Sequence, residues 1–152
     1  MPATIGQPAP DFNLPDVSNT RLSLADVKGD KTLVVFIPFP FTGICDGESC
    51  AIRDDMSALE GLGAKVVIIS TTPRPSLKKW SDENGFTFPV LSDFWPHGAT
   101  CIAYGCFNEN TGSSMRATYV LDKDGIVRDI IATDSLGQAR EHAAYQTSLA
   151  TV

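Results

Sequence analysis

The sequence predicts a single α/β domain over residues 1–152, with a central mixed β-sheet flanked by helices. Two apolar runs, TLVVFI at 32–37 and KVVIIS at 65–70, have the continuous hydrophobicity of strands that are covered on both faces. A segment with helical spacing follows each run, which implies parallel pairing through right-handed crossovers. A later pair of strands surrounds the turn DKDG at 122–125 and adds an antiparallel hairpin.

Composition and charge limit the possible partners. The chain of 152 residues, 43% of them hydrophobic, is long enough for one domain with a substantial core and too short for two ordinary domains. The net charge of −6 argues against nucleic acid, whose affinity depends on clustered Lys and Arg. The amino-terminal MPATIGQPAP does not resemble a secretory signal, and no stretch approaches the roughly 18 apolar residues of a membrane span. We therefore expect a soluble cytoplasmic protein that binds neither nucleic acid nor membrane.

The elements around the first buried strand follow from turn residues and apolar spacing. Residues 11–14 and 21–24 are short extended pieces separated by a turn signal at Asn19, which predicts an edge hairpin or a strand with a loop. After the strand, an amphipathic helix whose first turn carries Cys45 is predicted. Its apolar residues recur at spacings of four and three, and two glycines end the pattern: Ile52, Met56, Leu59, Gly61 and Gly63.

The second half of the chain continues the alternation. Residues 75–84 (PSLKKWSDEN) predict a helix with proline near its start and glycine just past its end. Residues 88–91 predict a short strand, residues 97–104 a short helix, and residues 136–152 a closing helix. Parallel units joined to an antiparallel hairpin, with helices on the flanks, make an α/β sandwich of the thioredoxin-like kind.

Four cysteines form two pairs with C-x4-C spacing: Cys45, Cys50, Cys101 and Cys106. A secreted disulfide framework is conceivable, but a chain of this length can stabilise itself by burial, so reduced thiols are the better expectation. The spacing departs from the CxxC of zinc ribbons and of thioredoxin-type redox motifs. We expect no metal, and Cys101 and Cys106 are interpreted as buried apolar residues.

Cys45 differs from the others in its surroundings. Only a thiolate is a strong nucleophile, and unperturbed thiols are mostly protonated at neutral pH. A helix start offers unsatisfied N–H groups and the positive end of the helix dipole, both of which favour an anion. The preceding loop at 38–43 (PFPFTG) is stiffened by two prolines and supplies aromatic walls and one hydroxyl. This combination predicts a sheltered reactive thiolate.

These residues resemble a known family. Pro38, Thr42 and Cys45 fit the pattern P-x-x-x-T-x-x-C, which is similar to the active-site signature of the peroxiredoxins, thiol peroxidases with a thioredoxin-like fold. The wider match resembles the AhpE branch and extends from APDF at 9–12 to GIVR at 125–128. It includes TGIC followed by Gly-Glu, FPVLSDFWPHGA, AYGCFNE and an Arg before a strand.

The resemblance implies roles for individual residues. Cys45 would be the peroxidatic nucleophile, Arg116 would pair with its thiolate and with the peroxide oxygen, Thr42 would hydrogen-bond the substrate, and Pro38 would shield the site. Glu48 would either orient Arg116 or simply begin a helix where acids are favoured. Such an antioxidant enzyme uses neither a metal nor an organic cofactor.

The fate of the oxidised sulfur stays open at the level of the sequence. A sulfenic acid must be captured by a thiol before it is oxidised further. The AhpE branch is described as one-cysteine, reduced by an outside thiol, whereas the related bacterioferritin-comigratory branch often has a resolving cysteine at the position of Cys50. Because five helical residues span about 7.5 Å and roughly 140°, resolution by Cys50 predicts local unwinding on oxidation. Cys101 or Cys106 are remote alternatives.

The resemblance also suggests partners. The reductant would be a mycoredoxin, thioredoxin or a low-molecular-weight thiol, and the protein would form a homodimer through the edge near Phe41, Trp80 or Phe94. The alternative to a peroxidase is a peroxide-responsive sensor or relay, which would react once and stall. A non-catalytic binding or metal module is a third possibility.

Overall fold

The structure, a computed structural model, describes residues 2–152. Along the chain the elements are β1 (Asn13–Pro15), β2 (Arg21–Ser23), α1 (Leu24–Val27), β3 (Lys31–Phe36), α2 (Gly43–Asp54), α3 (Met56–Gly61), β4 (Ala64–Ser70), α4 (Arg74–Asn84), β5 (Val90–Ser92), α5 (Ala99–Tyr104), β6 (Phe107–Asn108), β7 (Ser113–Ser114), β8 (Ala117–Leu121), β9 (Val127–Ala132) and α6 (Ala143–Leu149).

The central sheet has five strands in the order β5-β4-β3-β8-β9. Strands β3, β4 and β5 pair in parallel, while β8 pairs antiparallel with both β3 and β9. Phe36, at the end of β3, lies opposite Ala117, at the start of β8. This register places the loop after β3 beside the residue that precedes β8, although the two are far apart in the sequence.

Each face of the sheet has its own hydrophobic core, because strand side chains alternate between the faces. Leu33 and Val35 of β3 point into a core that includes residues of α2, α3, α4 and α6. Val34 and Phe36 point into the opposite core, with residues of α1, α5 and the amino-terminal hairpin. Both faces of β3 are therefore covered, which explains its uninterrupted apolar sequence.

Most predicted elements are present, with small shifts at their ends. The amino-terminal hairpin, the strands near 32–37, 65–70 and 88–91, the helix at 75–84 and the carboxy-terminal hairpin all form. Gly85 ends α4 with φ 64°, a left-handed conformation that glycine adopts without steric cost. The sequence reading missed α1 and the short β6–β7 hairpin.

Two helix predictions are wrong in extent. The helix expected to run from the first turn at Cys45 to Gly61 is divided between α2 and α3 at Asp55, whose φ of −104° and ψ of 7° leave the helical range. The Asp55 carboxylate accepts hydrogen bonds from His142 at 2.9 Å and Gln146 at 2.6 Å, contacts with α6 that the local sequence does not reveal.

The closing helix predicted over residues 136–152 is confined to Ala143–Leu149. The segment before it is irregular because its groups bind distant parts of the molecule. The Leu136 carbonyl accepts a hydrogen bond from Arg116 Nε at 2.7 Å, and Arg140 binds Glu48. Within residues 2–152, no helix is both long and apolar enough to cross a membrane.

Candidate active site

The candidate site lies where β3 ends and α2 begins. Buried Pro38 leads the chain out of the sheet, Thr42 precedes the helix with extended backbone angles, and Asp46 N–H donates to the Thr42 carbonyl at 2.9 Å. Cys45 is the third residue of α2, as the sequence predicted. It is fully buried beneath the loop that precedes the helix.

Two donors point at the Cys45 sulfur. Arg116 Nη1 lies 3.0 Å from Sγ, and the Phe39 backbone N–H donates to the same atom at 3.3 Å. Arg116 is 3% exposed, so its positive charge acts on the sulfur with little screening by water. Both groups are donors placed to stabilise negative charge that develops near the sulfur, and they supplement the unsatisfied N–H groups of the first helical turn. The predicted meeting of Cys45 and Arg116 is therefore present.

Glu48 holds Arg116 in place. Its Oε1 accepts a hydrogen bond from Arg116 Nη1 at 2.7 Å, the same nitrogen that faces Cys45. Of the two interpretations of this residue, the geometry favours orientation of Arg116 over a simple helix-start acid. Burial would raise the pKa of Glu48, but the hydrogen bonds and charge of Arg140, with the charge of Arg116, hold it below its ordinary value.

Arg140 is a second buried arginine that the sequence reading missed. It donates to Glu48 from its backbone N–H at 2.8 Å, from Nε at 2.9 Å and from Nη2 at 3.0 Å. Its Nη1 also donates to the Phe36 carbonyl at 2.9 Å and to the Thr118 hydroxyl at 3.2 Å. Arg140 thus ties the irregular segment before α6 to α2 and to the strands β3 and β8.

We predict that the Glu48 carboxylate stabilises the protein in a pH-dependent way. Because the folded-state pKa is lowered, the contribution is complete above the ordinary value of 4.5 and is lost as pH falls through the lower folded-state pKa. Glu48→Gln is expected to reduce the free energy of unfolding by about 3 kcal/mol at neutral pH, since it removes one partner of a buried ionic cluster. The difference from wild type should shrink below pH 4.5.

Denaturant unfolding at a series of pH values measures this effect. Glu60→Gln, at an exposed carboxylate on α3, is the matched control and should change the unfolding free energy little at any of them. A difference between wild type and Glu48→Gln that is constant from neutral to acid pH would contradict the assigned role of the carboxylate.

Asp46 is another residue that sequence reasoning missed. Its Oδ1 accepts from the Phe41 backbone N–H at 3.0 Å and from Trp80 Nε1 at 2.7 Å. Phe41 has φ 70°, a left-handed conformation that costs a bulky residue about 1 kcal/mol or more. Asp46 therefore holds a strained loop residue against α4, next to Cys45. An acid in the first helical turn was the only sequence signal for it.

Thr42 and Pro38 both lie in the loop that precedes Cys45, and they differ in their contacts. Thr42 Oγ1 donates to the Phe39 carbonyl at 2.5 Å, so its proton is used inside the loop. The hydroxyl keeps its lone pairs, and it can accept a hydrogen bond from the O–H of a hydroperoxide. Pro38 is buried beneath the loop and has no N–H of its own to satisfy there.

Cys50 does not contact Cys45 in this structure. All four cysteines are free thiols, and α2 is continuous from Gly43 to Asp54, so about 7.5 Å of helical rise separates the two residues. The Cys50 thiol donates to Asn84 Oδ1 at 3.5 Å, at the end of α4. Arg53 Nη1 donates to the Asn84 carbonyl at 2.8 Å beside it. The face of α2 that carries Cys50 is therefore docked on α4.

Cys101 and Cys106 lie on the other side of the sheet. Both are buried in the core that contains Val34 and Phe36, whereas Cys45 belongs to the opposite core. The sheet separates their sulfurs from the candidate site, which argues against either as a resolving residue. In the described residues, 2–152, no group of three or more His, Cys, Asp or Glu side chains is arranged to hold a metal ion.

Comparison with known proteins identifies the family. The model of the AhpC/TSA family matches residues 5–130, more than half of the chain. The chain belongs to this family. The peroxiredoxin family inferred from the sequence is thereby confirmed.

Individual relatives identify the branch and the fold. Alkyl hydroperoxide reductase E of Mycobacterium tuberculosis H37Rv is 42% identical over 149 residues, which cover 97% of each chain. Peroxiredoxin Bcp of Escherichia coli K12 is 33% identical over 137 residues, 90% of this chain and 83% of the relative. The crystal structure of peroxidoxin BcpB from M. tuberculosis superposes with a TM-score of 0.86 at 26% identity, and covers 99% of this chain and 98% of that one. The predicted thioredoxin-like fold is confirmed.

Proposed function

We propose that this AhpC/TSA family member is a thiol-dependent peroxidase in which Cys45 reduces hydrogen peroxide, organic hydroperoxides or peroxynitrite. The observation that carries the proposal is the 3.0 Å contact between Arg116 Nη1 and Cys45 Sγ, inside a buried site at a helix start. A peroxidase needs a thiolate as nucleophile and a donor for the oxygen that leaves, and this pair supplies both. Steady-state consumption of peroxide with a thiol donor tests it.

During the proposed reaction, negative charge moves from the Cys45 sulfur to the peroxide oxygen that leaves. The thiolate attacks one peroxide oxygen, the O–O bond breaks, and the other oxygen leaves with the electron pair. It leaves as nitrite from peroxynitrite, or takes up a proton from solvent to give water from hydrogen peroxide and an alcohol from an organic hydroperoxide. Cys45 becomes a sulfenic acid. Arg116 Nη1 and the Phe39 N–H, which hold the thiolate in the resting protein, also lie beside the developing charge in the transition state.

Thr42 would orient the peroxide for this attack. Because its hydroxyl proton is donated to the Phe39 carbonyl, the Thr42 oxygen presents a lone pair to the peroxide O–H. Pro38 closes the inner wall of the loop, and Glu48 with Arg140 keeps the Arg116 guanidinium from turning away. Arg116, Glu48 and Arg140 are fixed by packing in the resting protein, so little reorganisation is needed when a peroxide binds.

Cys50 is the proposed resolving residue, with a one-cysteine cycle as the alternative. Attack of the Cys50 thiol on the sulfenic acid would form a Cys45–Cys50 disulfide and release water. The Cα atoms of a disulfide lie within about 7 Å, so the first turns of α2 must unwind and Cys50 must leave Asn84. Gly43 and Gly47 lower the cost of unwinding, since each weakens a helix by about 1 kcal/mol.

Intact-mass analysis after one equivalent of peroxide distinguishes the two cycles. If Cys50 resolves, the wild-type protein loses the mass of two hydrogen atoms, and Cys50→Ser gains the mass of one oxygen atom because its sulfenic acid persists. Peptide mapping should place the wild-type cross-link between residues 45 and 50. A gain of one oxygen atom in both proteins would make the enzyme one-cysteine.

The reductant and the assembly are parts of the same proposal. A sulfenic acid or disulfide at residue 45 would be reduced by a mycoredoxin, thioredoxin or a low-molecular-weight thiol. A reducing cytoplasm is the proposed location, since such thiol donors act there. A homodimer would use exposed aromatic residues near the site, Phe41 at 49% and Phe94 at 44% exposure. Trp80, which the sequence suggested as a third residue of the dimer edge, is fully buried and cannot contribute to that surface.

A redox sensor is the competing function. The contacts of α2 with α4 and with the segment before α6 would change if α2 unwound, so a disulfide could alter a partner surface. Turnover separates the functions: with excess peroxide and thiol donor, a peroxidase consumes many equivalents of peroxide per protein, whereas a sensor consumes about one and stops.

A further inference from the structure

Cys101 and Cys106 are brought together by the way α5 ends. The Cys106 N–H donates to the Cys101 carbonyl at 2.9 Å, and the Gly105 N–H donates to the Ile102 carbonyl at 3.0 Å. This pair of hydrogen bonds, with Gly105 at φ 85°, is the Schellman motif. The motif typically puts the side chains of its first and last residues in contact, and here both are cysteines.

The electrostatics of the pair agree with this placement. A hydrogen bond from the Cys101 thiol to the Cys106 sulfur, burial and the nearby Asp93 carboxylate all raise the pKa of the Cys101 thiol. Both residues lie within the same core cluster, and each is almost inaccessible to solvent. In contrast to Cys45 and Cys50, which an intact helix keeps apart, the backbone hydrogen bonds at the end of α5 bring Cys101 and Cys106 together.

We propose that Cys101 and Cys106 form a second redox site, which closes to an intramolecular disulfide by exchange with a small disulfide oxidant while the backbone of α5 stays as it is. One thiol, as thiolate, attacks the oxidant and displaces one small thiol; the other then attacks the mixed disulfide and displaces the second. Two electrons pass from the protein pair to the oxidant, and two protons are released from the cysteines and taken up by the small thiols.

The amino-terminal segment controls access to this pair. The Ala3 N–H donates to the Tyr104 carbonyl at 3.2 Å, and a Cβ placed on Gly105 would lie 2.7 Å from Pro2 Cβ. Ala3 also packs against the core that contains both cysteines. The pair becomes accessible when this segment detaches by local opening while the rest of the fold stays intact, because few hydrogen bonds hold it over the pair.

Exposure of Cys45→Ser/Cys50→Ser to glutathione disulfide under native conditions tests the proposal. We expect loss of the mass of two hydrogen atoms, no lasting glutathione adduct, and a cross-link between residues 101 and 106. Adding Cys106→Ser should instead leave one stable adduct on Cys101. Wild-type protein treated alike and mapped by peptides gives the same cross-link if the serine variants fold poorly. Lasting adducts on both cysteines, or closure only after unfolding in guanidinium, would overturn the proposal.

A second experiment tests whether the amino-terminal segment controls access to the two cysteines. Ala3→Pro removes the N–H that binds Tyr104 and should speed closure about fivefold, the factor expected for one lost hydrogen bond. Thr4→Ala is the matched control: it removes the exposed hydrogen bond from the Thr4 hydroxyl to the Pro2 carbonyl but keeps the bond between Ala3 and Tyr104, and it should leave the rate unchanged. An equal rate in wild type and Ala3→Pro would contradict access through the amino-terminal segment. Because neither experiment uses peroxide or requires a reactive Cys45, its outcome is independent of the peroxidase proposal.

Discussion

Replacement of Cys45 with serine is expected to abolish peroxide reduction, with activity lower by about a thousandfold or more, as when the nucleophile of another covalent enzyme is removed. A serine hydroxyl stays protonated beside Arg116, and an uncharged oxygen does not attack a peroxide. The buried site accepts a side chain of nearly the same size, so the fold should persist. Initial rates of peroxide loss with a thiol donor measure the effect, and circular dichroism checks the fold.

Cys50→Ser is the matched control for this loss. It lies five residues along the same helix and should still react with the first equivalent of peroxide at the wild-type rate, whichever thiol resolves the product. Equal loss of this first reaction in Cys45→Ser and Cys50→Ser, or residual turnover of Cys45→Ser near the wild-type rate, would contradict the assignment of the nucleophile.

Arg116→Met should slow the oxidation of Cys45 by about a hundredfold to a thousandfold, the range found when one donor to a developing oxyanion is removed from other enzymes. Methionine fills a similar volume but removes the charge 3.0 Å from the sulfur. The attacking thiolate and the leaving oxygen both lose their main donor. The rate constant of the first oxidation, followed by rapid mixing at neutral pH, is the appropriate measurement because it excludes the resolving step.

Arg128→Met separates this local effect from a general effect of charge. Arg128 pairs with Asp122 in the hairpin of β8 and β9, and its side chain is 48% exposed. Its removal changes the net charge equally and should leave the oxidation rate within about twofold of wild type, since exposed ion pairs contribute little. If both arginine variants slowed oxidation to the same degree, the specific role of Arg116 would be wrong.

The extent of agreement between sequence and structure has a physical explanation. Strands such as β3 and β4 were predictable because burial on both faces leaves a continuous apolar run. Cys45 could be singled out because the prolines and the helix start are local in the chain. Arg116 came from the family resemblance, since no local pattern distinguishes it from an ordinary surface arginine beside a strand.

Contacts between distant residues account for what was missed. Arg140 meets Glu48 across 92 residues, and neither side of that contact carries a local signal. The segment from 136 to 142 has residues compatible with a helix, but Leu136 and Arg140 use their backbone groups to bind Arg116 and Glu48 instead. The break at Asp55 similarly depends on contacts with His142 and Gln146. The local apolar periodicity carries no sign of these contacts, so the sequence predicted one helix where the structure has α2 and α3.

The most direct test of the account is to locate the first oxidised sulfur. Cys50→Ser, in which Cys50 cannot capture the sulfenic acid, is treated with one equivalent of hydrogen peroxide in the presence of a dimedone probe, which traps sulfenic acids. It should carry the probe on Cys45, and Cys50→Ser/Arg116→Met should carry far less after the same brief exposure. Probe on Cys101 or Cys106 with Cys45 left unlabelled, or equal labelling of Cys45 in both proteins, would contradict the central claim that Arg116 makes Cys45 the peroxide-reactive residue.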